Sequence, residues 1–196
     1  MSGSIIFSMS AFALAASISP GPVNLVCLSS GIRYGLATTL VFVTGATLGF
    51  VLLFVSLGLG LKSVFLQWGE LESALRWGGI LFLLYMSVQL LRASGDVQTQ
   101  SQTQPPGFMT GALMQWLNPK AWLAGISGIA AYTAGGDMYQ VLLFALLYLP
   151  ICWLSLGVWA AAGAWLQQRC TAGQGLRWLN RILALLLLMS CVLLLI

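Results

Sequence analysis

The sequence predicts an all-α integral membrane protein of six transmembrane helices, arranged as two inverted three-helix repeats with helices 1 and 4 broken. Three observations predict it. Only 6% of the 196 residues are charged and 59% are hydrophobic, with a mean hydropathy of +0.94, whereas a soluble domain carries roughly 25% charged residues. So few polar side chains cannot cover a water-facing surface. Six apolar stretches can be read, each near or above the roughly 20 residues a helix needs to cross the hydrocarbon core. Two of them, the first and the fourth, carry proline-centred interruptions at matching places.

The same composition removes several kinds of chemistry. The chain has no His, so it lacks a Ser-His-Asp or Cys-His nucleophile, a His-ligated metal and an imidazole proton shuttle. Its net charge of +4 is too sparse and scattered for a nucleic-acid surface. Cys27, Cys152, Cys170 and Cys191 are widely spaced, with no C-x-x-C and no metal-ligand rhythm. Three of them sit in apolar runs, where Cys behaves as a small hydrophobe. No cofactor and no metal is implied, and no enzyme; the partners are the lipid bilayer and a small solute.

The first span runs from about Ile5 to Cys27, broken late by Pro20-Gly21-Pro22. The second covers about Leu36 to Leu61, with no charge and four glycines, and the third about Leu75 to Leu91. A polar stretch from Ser94 to Pro106 reads as a solvated loop. The fourth span, about Phe108 to Tyr132, is interrupted by Asn118-Pro119-Lys120. The fifth runs from about Tyr139 to Leu166 around Pro150, and the sixth from Trp178 to Ile196. Only short loops remain. The first run is read as a retained helix and not a signal peptide, because residues 1–10 hold no Lys or Arg and the apolar run is long.

Basic residues near the loops set the orientation. Arg33, Arg92, Arg169, Arg177 and Arg181 flank the odd-numbered connections; Lys62 and Arg76 flank the even-numbered ones, beside Glu70, Glu72 and Asp137. Five against two makes the odd loops cytoplasmic and places both termini outside.

The two halves echo each other. Leu75-Arg76-Trp77 opens the third span and Leu176-Arg177-Trp178 the sixth, followed by ILFLLYMS and ILALLLLMS. Ser19-Pro20 and Asn118-Pro119 break the first and fourth spans. Chance likeness between Leu-rich helices is the alternative. A duplication divides the chain into a first repeat at 1–92, a polar cytoplasmic loop at 93–107 and a second repeat at 108–196. An odd number of spans per unit forces the second copy in from the other side, an inversion typical of secondary transporters.

The breaks carry the candidate chemistry. Pro20 and Pro22 cannot donate backbone hydrogen bonds and clash with the preceding turn, while Gly21 tolerates conformations other residues avoid. The helix must open, and the groups it frees need partners from protein, water or a ligand. Asn24, just beyond, can both donate and accept. A plain kink with Asn24 bonded to backbone is the simpler alternative. In the fourth span, Lys120 lies about 18 Å along its helix, near the middle of a core about 30 Å thick. An ammonium there costs at least about 2.5 to 3.5 kcal/mol, so it faces protein or water unless it snorkels to an interface or sheds its proton. Every carboxylate falls in a loop. The expected counter-charge is therefore a ligand's carboxylate, with helix-end amides beside it. Lys120 is the leading candidate.

Other features are weaker. Gly45 and Gly49, four apart, let helices approach closely; a Gly-rich face serves either a homodimer or packing within the subunit. Gln89 and Gln115 are polar groups inside spans that line a path or merely bond between helices. Tyr148 and Pro150 are candidate cavity residues. Trp68, Trp77 and Trp178 read as interfacial anchors.

Ser19-Pro20-Gly21-Pro22, then Gly31 and Gly35, Gly45-x-x-x-Gly49, and Asn118-Pro119-Lys120 together resemble the LysE/RhtB family of bacterial amino-acid exporters. The resemblance covers the whole chain. It implies a multi-pass protein of the bacterial inner membrane that exports amino acids or close derivatives, driven by the proton-motive force. Pro20, Gly21, Pro22, Asn118, Pro119 and Lys120 carry over as the transport path. The final helix and the Gly49-Phe50 pair point to the cysteine and O-acetylserine exporter branch. One departure matters: many members place an Asp after the second glycine of the second helix, where this chain has Phe50. Without that carboxylate a cationic cargo is disfavoured and no residue is named for proton coupling. Small neutral zwitterions of the cysteine, O-acetylserine, homoserine or threonine class fit better. A passive channel or facilitator and a membrane enzyme working through the cysteines are the competing readings.

Overall fold

A computed structural model of the chain describes residues 3–61, 104–133 and 137–169, with positions 77, 80, 81, 84, 87, 88, 178, 181, 182 and 185. The third and sixth spans are thus described only at scattered positions. Gln89, Trp68, Cys170, Cys191 and residues 94–103 of the polar loop lie outside the described residues, as do Lys62, Glu70, Glu72, Arg76, Arg92 and Arg177.

Regular structure among the described residues is helical. Helix α1 spans Gly3–Ile18, α2 Pro22–Ser56, α3 Phe108–Trp116, α4 Pro119–Tyr132 and α5 Met138–Arg169; a π-helical turn, Leu57–Leu61, follows α2. Two described stretches, Pro22–Gly60 and Met138–Gln167, are long and apolar enough to cross a bilayer. The first break falls at 19–21 and the second at 117–118. Both follow from proline. A residue before proline is pushed out of the helical region, and Gly21 (φ −163°, ψ 176°) and Asn118 (φ −95°, ψ 106°) are extended. Pro22 and Pro119 then open the next helix, where a missing N–H costs nothing. Pro150, by contrast, lies inside α5 without ending it.

One expected boundary is corrected. The first span does not end at Cys27: helical structure continues to Tyr34, and the chain reverses at the single residue Gly35, directly before the expected start of the second span at Leu36. Its φ of +78° is a conformation other residues rarely adopt.

Contacts with α5 fix the directions. Phe12 meets Phe144 at 6.2 Å, Trp159 reaches the Ile18 carbonyl at 3.0 Å, and Gly163 packs on Leu28 and Ile32, so α1 and the first part of α2 run parallel to α5. Beyond Gly35 the order inverts: Thr44 pairs with Trp153, Phe50 with Tyr148 at 4.7 Å, and Phe54 with Phe144 at 5.1 Å. Helices α3 and α4 follow that second limb, with Phe108 on Gly45, Ala112 on Gly49 and Gly125 on Leu57. The first and fourth spans are therefore antiparallel, and so are the second and fifth.

Two kinds of packing hold these limbs. A Cβ on Gly31 would collide with the Ala160 carbonyl, one on Gly163 with the Leu28 carbonyl, and one on Gly45 with Phe108 backbone. These glycines set backbone against backbone inside the subunit. At the other end an aromatic cluster of Phe12, Phe50, Phe54, Tyr132, Phe144 and Tyr148 fills the core. A hydrogen bond from Ser8 to Tyr132 at 3.0 Å closes that end.

Candidate functional site

The two breaks lie against each other. The Lys120 ammonium donates to the Ser19 carbonyl at 2.6 Å, to Ser19 Oγ at 2.8 Å and to the Pro20 carbonyl at 3.4 Å. Three acceptors match the three protons of an ammonium. They stand at the C-terminal end of α1, where the helix dipole is negative. Lys120 is half-buried and turned to protein, as its cost in lipid requires.

Every carbonyl freed at the first break is claimed. Ser19 Oγ donates to the Ala16 carbonyl at 3.2 Å, Asn24 Nδ2 to Ser17 at 2.8 Å, and the Trp159 indole to Ile18, while Lys120 takes Ser19 and Pro20. Of the partners the opened helix needs, whether protein, water or ligand, the protein supplies these. A bilayer core offers no water to satisfy them, so the protein does so itself.

The second break is built differently. Asn118 caps α4, its side-chain oxygen accepting from the Lys120 amide at 3.2 Å. Its Nδ2 approaches Gln115 Oε1 at 3.4 Å, and the Trp122 indole donates to the Trp116 carbonyl at 2.8 Å. No side chain caps Gly21 at the start of α2. The first-turn amides of Val23 and Asn24, which have no intrahelical partner, therefore add partial positive charge beside Lys120. A Cβ on Gly21 would sit 3.0 Å from Lys120 Cδ and 3.1 Å from its Nζ. A side chain there would make the lysine shift by a few tenths of an ångström.

A cavity of about 40 Å³ opens at this crossing, room for about three waters. Of the residues the sequence singles out, Asn24, Gln115, Asn118, Lys120 and Tyr148 line it. Pro20, Gly21, Pro22 and Pro119 do not; they shape the breaks that bring the lining together. Phe50, at the position where many relatives place an Asp, also lines the wall, and Ala16, Ser17, Val23, Ala121, Ala124, Cys152 and Leu156, which sequence reasoning missed, complete it. Cys152 was read as a plain core hydrophobe; it is buried and a free thiol, and it faces the cavity. Its spacing of four from Tyr148 places both on one face of α5, a signal that could have found it. Tyr148 is 1% exposed, and its hydroxyl has no hydrogen-bond partner among the described residues, a deficit worth about 1 to 3 kcal/mol. Among the described residues no group of His, Cys, Asp or Glu is placed to hold a metal.

A helical, apolar bundle with two broken helices facing a lone cation defines the architecture of a membrane transporter. The family profile described as LysE type translocator matches residues 14–196, and the chain belongs to that family of multi-pass inner-membrane amino-acid efflux proteins. It is 29% identical over 195 residues to the cysteine/O-acetylserine efflux protein of Klebsiella pneumoniae, covering 98% of this chain and 97% of the relative. The protein of the same description from Escherichia coli is 25% identical, with 98% of each covered. The homoserine/homoserine lactone efflux protein of Salmonella typhimurium is 28% identical over 109 residues, 54% of this chain and 53% of that protein. No solved structure matches.

Proposed function

We propose that the protein exports small neutral amino acids or their derivatives, of the cysteine, O-acetylserine, homoserine or threonine class, from the cytoplasm. Transport proceeds by alternating access at the cavity between the breaks, driven by the proton-motive force. The carrying observation is Lys120: a cation at the crossing of two broken helices, with an uncapped helix N-terminus beside it. Those groups suit one carboxylate. A neutral zwitterion brings that carboxylate without an extra positive charge, and Phe50 stands where an acidic partner for a cationic cargo would be. The antiparallel pairing of spans 1 with 4 and 2 with 5 supports six spans in two inverted repeats, divided at the polar loop.

The test is transport by purified protein in proteoliposomes with an imposed proton gradient. Uphill movement of labelled O-acetylserine or homoserine by the wild type, and its loss in Lys120→Ala protein that still inserts, is the expected result. Equilibration without accumulation would make the protein a facilitator, and full transport by Lys120→Ala would remove that residue from the mechanism.

A further inference from the structure

The polar groups that line the cavity on the side of the breaks are paired: Asn24 with the Ser17 carbonyl, Asn118 with Gln115 and the Lys120 amide, and Lys120 with the first break. Tyr148, on α5, is the exception. Its ring is fixed by Phe50 at 4.7 Å, Phe144 at 5.2 Å and Phe54 at 5.5 Å. The hydroxyl is buried and bonds to nothing among the described residues. Rings held on three sides cannot swing the phenol to another partner, so an unpaired buried donor is fixed in a residue of the cavity wall.

We propose that Tyr148 selects the side chain of the cargo, donating its phenolic proton to an oxygen on that side chain and so favouring hydroxyl- or ester-bearing amino acids over thiol and alkyl ones. This inference rests on the transport reading above. Lys120 and the α2 amides take the carboxylate, so the cargo's side chain points across the cavity toward α5. A hydroxyl or an ester carbonyl is a good acceptor there. A thiol sulfur is a weak one, and an alkyl group leaves the phenol unpaired. A site built to bond an oxygen discriminates strongly against a cargo lacking it. Cys152 and Phe50 beside Tyr148 keep that part of the wall narrow and without charge, which suits a short neutral side chain.

The experiment measures homoserine, cysteine and 2-aminobutyrate transport in proteoliposomes by wild-type, Tyr148→Phe and Lys120→Ala proteins. Tyr148→Phe removes one unbonded oxygen and preserves the aromatic packing. The wild type is expected to favour homoserine over 2-aminobutyrate by tenfold or more in kcat/KM, with cysteine nearer 2-aminobutyrate, and Tyr148→Phe to bring the ratio within about twofold of unity. A merely structural role would lower all three rates together and leave the ratio intact. An unchanged ratio in an active Tyr148→Phe protein overturns this inference and leaves the transport reading standing. A wild type that moves none of the three overturns both.

Discussion

The Lys120 ammonium sits 2.6 Å from the carbonyl oxygen of Ser19, 101 residues earlier in the chain, so each broken helix supplies what the other lacks. The C-terminal end of α1 offers carbonyls at negative potential; the start of α4 offers a cation that, among the described residues, has no carboxylate beside it. Two carbonyls and a hydroxyl already take the three donors of that ammonium, though none of them carries a balancing charge. An arriving carboxylate must therefore draw Lys120 away from the first break. In the transport reading, that exchange is what lets occupancy of the cavity be felt by the backbone at the break.

Ser19→Ala tests the exchange. It deletes the acceptor at 2.8 Å and keeps both carbonyls. Lys120 is then held less firmly and a substrate carboxylate competes better, so KM is expected to fall about fivefold, equivalent to about 1 kcal/mol. Initial rates of zwitterion transport in proteoliposomes measure it. A KM that rises would mean that Ser19 binds cargo and does not restrain the lysine.

Asn24→Asp is expected to do the opposite. Lys120 Nζ and Asn24 Oδ1 flank the same point, 3.1 Å and 3.5 Å from where a Cβ on Gly21 would lie. A carboxylate at position 24 supplies the missing counter-charge in place of the cargo, and it surrenders the bond to the Ser17 carbonyl. KM should rise tenfold or more while the protein still inserts. Unaltered affinity would place the carboxylate site elsewhere.

The breaks were legible in the sequence because their cause is local. Steric exclusion before Pro22 and Pro119 acts within two residues, and a lysine far from any loop must find partners in the protein. The single-residue reversal at Gly35 was not. Ser29, Ser30 and Gly31 fall between the expected first and second spans, yet all three are buried, and a Cβ on Gly31 would strike the Ala160 carbonyl. Nothing local reveals a partner helix more than a hundred residues downstream. Most of the apolar half of the cavity wall was hidden for a related reason: Ala121, Ala124 and Leu156 carry no mark that distinguishes facing a void from facing lipid.

Glycine packing gives a stability contrast. Gly31→Ala sets a methyl group into backbone that cannot move aside, whereas at Gly125 the obstacle is Leu57 Cδ1, the end of a flexible side chain. Gly31→Ala should cost about 1 to 3 kcal/mol, as overpacking does. Gly125→Ala should fall well below that, because the gain in helix propensity, about 1 kcal/mol, offsets a rotamer change. Thermal unfolding in detergent compares them, and equal losses would contradict the close approach of α2 and α5.

Orientation follows from which ends the fold gathers. Gly3, Leu57 and Tyr132 lie toward one side of the bundle with Asp137, since Ser8 bonds Tyr132 and Gly58 packs on Val141. Arg33 and the 160–169 end of α5 lie toward the other, with Phe108 at the matching end of α3. Positive charge is retained on the cytoplasmic side of a membrane, so the Arg33 side should face the cytoplasm and the amino terminus the periplasm. In a variant whose four native cysteines are replaced, Tyr139→Cys, at a position 70% exposed, should react with a membrane-impermeant thiol reagent applied to intact spheroplasts. Gln104→Cys, also exposed, should react only after the membrane is opened. The reverse pattern would invert the molecule in the bilayer and place the aromatic cluster toward its cytoplasmic end.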